Sequence, residues 1–305
     1  MSTRASHPTA SHGGFDDLDT SRSKELVVQS AKDLAEDNGQ QWAAAVTYYA
    51  LLSSVPLLLV IISIATFFVG EQSATDRVTS ALGNYAPQGG QVQQAVQGMI
   101  SSRGSVGIIS FFTLLWTGSR VFSALTQALN VVYLVDEGYS FVRRLVLSLV
   151  MTFTLGLGIV FAFGFSVILQ TLRSEAGFLS FLPGVLFTVL AWLIQLALIT
   201  GILYLIYHYV PKGDHDYRAS LIGAVAAAVL FVIARPLFTF YIQEFGRQNK
   251  IYGPLAIVII AMLWVWISVL ITLYGGELAS HTRAMLIDGQ PASAVGKRHQ
   301  DNTAL

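Results

Sequence analysis

Residues 251–277 read IYGPLAIVIIAMLWVWISVLITLYGGE. The run from Ile251 to Gly276 carries no Lys, Arg, Asp or Glu, and the next residue is Glu277. The hydrocarbon core of a bilayer is about 30 Å thick and takes about 20 apolar residues as a helix. Inside lipid every backbone N–H and C=O must find its partner within the segment, so this run is expected to be α-helical. Pro254 suits the first turn, where a missing N–H costs nothing. A barrel strand would alternate polar and apolar positions over about ten residues, and the run does not.

Five other stretches are of the same kind. Residues 42–70, 145–172 and 176–211 carry no charge, whereas 104–135 holds only Arg120 and 219–243 holds only Arg235. The whole chain of 305 residues is 53% hydrophobic and 12% charged, against about 25% charged in soluble domains. The sequence therefore reads as an all-α, polytopic membrane protein with six transmembrane helices. Its membrane domain is expected over 32–281, with spans at 42–70, 104–135, 145–172, 180–210, 219–243 and 252–280 and disordered tails at 1–31 and 282–305. A short amphipathic helix over 23–38 leads into the first span. Trp264 and Trp266, in mid-span, read as packing groups.

The connection between the first two spans is the long one. Val92, Ala95, Val96, Met99 and Ile100 recur at helical spacing, with Gln93, Gln94 and Gln97 on the other side. Pro87, Gly89 and Gly90 separate this segment from a shorter helix near 76–85. The pattern predicts a short helical insertion outside the membrane. With six spans, Lys and Arg number eleven on the side of the two termini and five on the other. The positive-inside rule then places both ends in the cytoplasm.

An ionisable side chain at the centre of a bilayer costs roughly 2.5–3.5 kcal/mol on insertion scales, so it turns towards a partner or a wet cavity. Arg120, Arg235 and Glu277 are the three here. Arg120, Ser123, Gln127 and Asn130 share one helical face, expected to line a cavity or bond neighbouring helices. Gln40, Ala43, Thr47, Ala50 and Ser54 form a milder stripe of small and polar groups, followed by Pro56. With straight helices, Arg120 and Glu277 differ in depth by roughly 12 Å, and Arg235 belongs to the opposite half. Two separate polar clusters are expected. The candidate substrate-binding residues are Arg120, Ser123, Gln127, Asn130, Arg235 and Glu277.

Other chemistry lacks its residues. The chain has no cysteine, which excludes disulfides and thiolate sites. It contains no phosphate-binding G-x-x-x-x-G-K-[ST] loop, no H-E-x-x-H and no G-x-S-x-G. Its six histidines, His7, His12, His208, His215, His281 and His299, are scattered over tails and span ends. The formal net charge is zero, which gives no basic field for nucleic acid. No catalytic residue, metal or cofactor is expected.

Five segments carry a resemblance. Residues 43–56, AAAVTYYALLSSVP, and 116–120, WTGSR, continue through Ala124, Leu125, Ala128, Leu129 and Asn130. Ala234 and Arg235 through Tyr241, then 252–255, YGPL, and 275–278, GGEL, follow in order. Over roughly 32–281 the chain resembles the YihY/BrkB family. The resemblance implies a six-helix protein of the bacterial inner membrane, associated in some members with envelope lipid export. Members were once labelled ribonuclease BN, a label that fits no residue pattern here. The function expected is transport, or flippase-like movement, of a lipid or other amphiphilic envelope component. A non-transporting scaffold of envelope machinery is the alternative, and an intramembrane enzyme the third. Membrane lipids, envelope proteins and a second copy of the chain are the partners these readings imply.

Overall fold

The computed structural model describes residues 20–69, 103–135, 184–212, 216–246 and 255–287, with a few isolated positions between 140 and 150. These residues form six helices: α1 (Thr20–Glu36), α2 (Gly39–Val69), α3 (Arg103–Val132), α4 (Gly184–Tyr209), α5 (Tyr217–Gly246) and α6 (Leu255–Ile287). The chain is therefore all-helical over the described residues. The insertion expected over 71–103 and most of the span expected over 145–172 lie outside them. Among the described residues three helices, α4, α5 and α6, are long and apolar enough to cross a membrane by length and composition.

The helix ends follow local rules. Asp216 caps α5, its Oδ1 accepting from the N–H of Arg218 at 2.6 Å and of Ala219 at 3.4 Å. The α3 end closes in a Schellman turn. The N–H of Leu134 donates to Val131 O and that of Val135 to Asn130 O, both at 2.9 Å. Leu134 takes the left-handed position, with φ of 54°, where glycine is usual. Between α1 and α2 the same role falls to Asn38, with φ of 57°. Asn adopts this region more readily than most residues. Gly39 follows because a Cβ there would collide with the Leu34 side chain and stand 2.7 Å from its carbonyl oxygen.

Small residues decide the packing of α5 on α6. A Cβ on Gly223 would strike Gly275 O, and one on Gly275 would stand 2.6 Å from the Ala227 Cβ. The two backbones meet where both lack side chains, the usual basis of close helix contact in membranes. Tyr207 of α4 reaches in to donate its hydroxyl to Thr272 O at 2.7 Å. Around this point lies the core: Ala43 and Val46 of α2, Leu125 and Leu129 of α3, Ala224 and Ala228 of α5, Leu273 of α6. Further along α6, Trp264 packs on Phe238 with centroids 4.8 Å apart. Trp266 Nε1 donates to Gln40 O at 3.3 Å. Both tryptophans are packing groups, as expected.

The amphipathic helix expected over 23–38 is α1, which starts at Thr20, inside the segment expected as a disordered tail. It is held because it packs against α6. Tyr274 of α6 donates its hydroxyl to Val27 O at 3.2 Å, and Leu26 packs with Leu278. At the other terminus α6 continues to Ile287, past the span end expected at 280. A helix of 33 residues is about 50 Å long at 1.5 Å per residue, more than the hydrocarbon requires.

Candidate functional site

At the end of the bundle that α1 covers, polar groups converge out of contact with water. Leu26, Ser30, Asp33 and Asp37 are buried, at spacings of four, three and four. That spacing puts them on one helical face. Glu277 and His281 lie one turn apart on α6 and meet that face. Asp33, Glu277 and His281 are each 0% exposed. His281 Nε2 stands 2.8 Å from Asp33 Oδ2, an ion pair when the imidazole is protonated. Gln29 Nε2 donates to Asp33 Oδ1 at 2.8 Å.

Glu277 is the acid at the centre. Asp37 stands at hydrogen-bonding range from it, and Asp33 lies close by. Tyr133, just past the α3 end, also senses its charge. Among the described residues no N–H or hydroxyl reaches either Glu277 oxygen. Two ionised carboxylates have no hydrogen to offer each other. At this range they also repel each other. The described residues contain no group of three or more His, Cys, Asp or Glu side chains placed to hold a metal ion.

The other expected site residues lie elsewhere, and the polar stripe of α3 does not stay together. Asn130 is buried and its Oδ1 accepts from the Lys212 N–H at 3.2 Å, tying α3 to the start of the next loop. Ser123 and Gln127 satisfy each other within the helix at 3.2 Å, with Gln127 exposed. Arg120 is exposed too, its guanidinium 5.7 Å from the ring of Trp116. Trp116 and Phe112 are more than 60% exposed on the same face. The expectation that the stripe as a whole turns inward is thus corrected. The inward face of α3 is taken by Ala124, Leu125, Ala128 and Leu129, which pack more closely than a long cation permits.

Arg235 is exposed on α5, with Thr239 donating to its carbonyl oxygen at 2.9 Å. One turn away, Val232 joins Val189, Trp192, Leu193 and Leu196 in lining an apolar pocket of about 320 Å³ between α4 and α5. Arg120 and Glu277 are not paired, in keeping with their expected difference in depth.

Asp33, Asp37 and His281 are the functional candidates that the sequence reading missed. Their signal was present. Asp33 and Asp37 are four apart beside an Asn-Gly turn, and Glu277 and His281 are four apart on α6. Each pair shares a helical face.

Comparison with known proteins agrees with the helical, apolar architecture. The family described as Virulence factor BrkB matches residues 30–296. The ribonuclease-like protein YfkH of Bacillus subtilis is 26% identical over 268 residues, covering 83% of this chain and 94% of YfkH. A UPF0761 membrane protein of Actinobacillus pleuropneumoniae is 28% identical over 242 residues, 78% of this chain and 86% of the relative. The UPF0761 membrane protein VV0203 of Vibrio vulnificus is 30% identical over 247 residues, 78% of this chain and 76% of the relative. No solved structure matches. A match that takes in every described helix except the part of α1 before residue 30 settles the affiliation: the chain is a membrane protein of the Virulence factor BrkB family.

Proposed function

We propose that this chain spans the bacterial cytoplasmic membrane six times, with both ends in the cytoplasm, and moves a lipid or other anionic amphiphile between leaflets. The surplus of Lys and Arg on the side of the termini supports the orientation. The observation that carries the function is Arg235 beside the apolar pocket of α4 and α5. An exposed guanidinium on an apolar helix costs roughly 2.5–3.5 kcal/mol in mid-bilayer on insertion scales. A phosphate headgroup offsets that cost, because its oxygens match the guanidinium fork. The pocket beside it suits an acyl segment. Arg120, with Ser123 and Gln127 on the same flank, offers a second headgroup contact on α3. Asn130 holds the loop after α4, and Glu277 serves the sealed end.

The test is lipid movement in reconstituted liposomes, using a labelled phosphatidylglycerol. The expected result is movement faster than in protein-free liposomes and at least tenfold slower in Arg235→Ala. Wild-type protein no faster than empty liposomes contradicts the proposal. That outcome, with a stable partner copurifying on the aromatic face of Phe112 and Trp116, favours a non-transporting scaffold instead.

A further inference from the structure

We propose that the chamber under α1 is a proton-binding site, in which Glu277 and Asp37 share one proton beside the His281–Asp33 pair. This deepens the transport reading by naming a coupling site, but protonation of the chamber can be measured whether or not lipid moves.

The case rests on geometry. Glu277 is fully buried, and no donor among the described residues reaches its oxygens. It faces Asp37 at hydrogen-bonding range and Asp33 close by. A buried carboxylate with no donor and two acidic neighbours is costly, because like charges at such range cannot all stay ionised. A proton between Glu277 and Asp37 turns the repulsion into a hydrogen bond. Other groups adjust the balance but do not replace that proton. From α1 come Asp33 with Gln29, and from the α1–α2 turn comes Asp37. The end of α3 contributes Tyr133, within electrostatic reach of both Glu277 and Arg283. From α4, Tyr207 stands 3.8 Å from where a Gly276 Cβ would lie, its hydroxyl already given to Thr272. On α5, Gly223 and Ala227 pack against Gly275 and Ala279 of α6 and carry no charge. His281 and Arg283 follow Glu277 on its own helix.

A proton suits the chamber better than a metal ion, since the acids do not gather into a metal-holding group. The step is simple in its balance. A water-borne proton enters, bonds to one carboxylate oxygen of the pair and is accepted by the other. It leaves by the reverse route, and no bond other than O–H is made or broken. The His281–Asp33 pair links the chamber to α1, so a rearrangement of α1 is the natural way to open a path to water.

Infrared difference spectroscopy of the whole protein in nanodiscs at neutral pH tests this. The expected result is a protonated-carboxyl C=O band that shifts on exchange into deuterated water and is lost in both Glu277→Gln and Asp37→Asn. Thermal unfolding confirms that the variants are folded. Glu277→Asp, which keeps the acid, is expected to retain a displaced band. Absence of the band in wild type, its persistence in both amide variants, or its removal by added sodium at fixed pH would each overturn the assignment. In liposomes, an imposed proton gradient is expected to change the rate of lipid movement in wild type and not in Glu277→Gln. An equal response in both would remove the coupling role while leaving the infrared result to judge the site.

Discussion

The two ends of the described helices are built differently. Towards α1, acids and a histidine are buried, and Gly223, Gly275, Ala227 and Tyr207 bring three helices into close contact. Towards the other end, Trp192, Leu193, Ile233, Leu237, Phe240, Ile259 and Met262 are exposed, as is Arg235. Among the described residues, the half under α1 is the one that buries Asp33, Asp37, Glu277 and His281. The sealed half can keep acids and a histidine away from water and lipid. The exposed half can present a cation to headgroups. Glu277 is thus set apart from Arg120 and Arg235 by packing, the acid buried and the two cations exposed.

That contrast can be broken at several points. The largest effect is expected for Gly275→Leu, because the added atoms meet the α5 backbone and the Tyr207 hydroxyl, which cannot both retreat. Overpacking typically costs 1–3 kcal/mol and occasionally more, and here we expect more than about 3 kcal/mol, seen as loss of folded protein on size exclusion. Gly201→Ala is the matched control, since nothing lies within 4 Å of its Cβ position. It is expected to leave the unfolding midpoint unchanged or raise it by the equivalent of up to about 1 kcal/mol. Next is Asp33→Ala, which removes the carboxylate shared by His281 and Gln29. Breaking such a buried pair costs roughly 3 kcal/mol, measured as a lower unfolding temperature in detergent. Tyr207→Phe removes one buried hydrogen bond and should cost about 1 kcal/mol by the same measurement. Arg235→Ala is expected to change stability by less than about 0.5 kcal/mol while slowing lipid movement. A large loss of stability there would mean that the exposed half is packed as tightly as the sealed one.

Much of this was legible in the sequence. Charge-poor runs marked α2 to α6, because lipid leaves a helix no other way to satisfy its backbone. Glu277 stood out as the lone acid at the end of such a run. Its neighbours did not, because α1 has the polar composition of a surface helix. Asp33 and Asp37 read as solvated when only one helix is considered, and their burial follows from α6 packing over them. Arg120 failed in the opposite direction. Its stripe with Ser123, Gln127 and Asn130 has the right period, but period gives a common face and not what covers it. Small residues at 124 and 128 took the inward position, leaving only Asn130 of the stripe inside.

Labelling of introduced cysteines tests the central claim, that α1 seals an acid–histidine chamber, most directly. The chain has no cysteine, so each introduced thiol is the only one present. Ser30→Cys lies on the buried face of α1 and Lys32→Cys on its exposed face. With a charged, membrane-impermeant maleimide applied to inverted vesicles, the account predicts rapid modification at 32. At 30 it predicts modification only after unfolding. Equal modification of both in the folded protein would show that α1 does not cover the chamber, and the proposed proton site would be open to water.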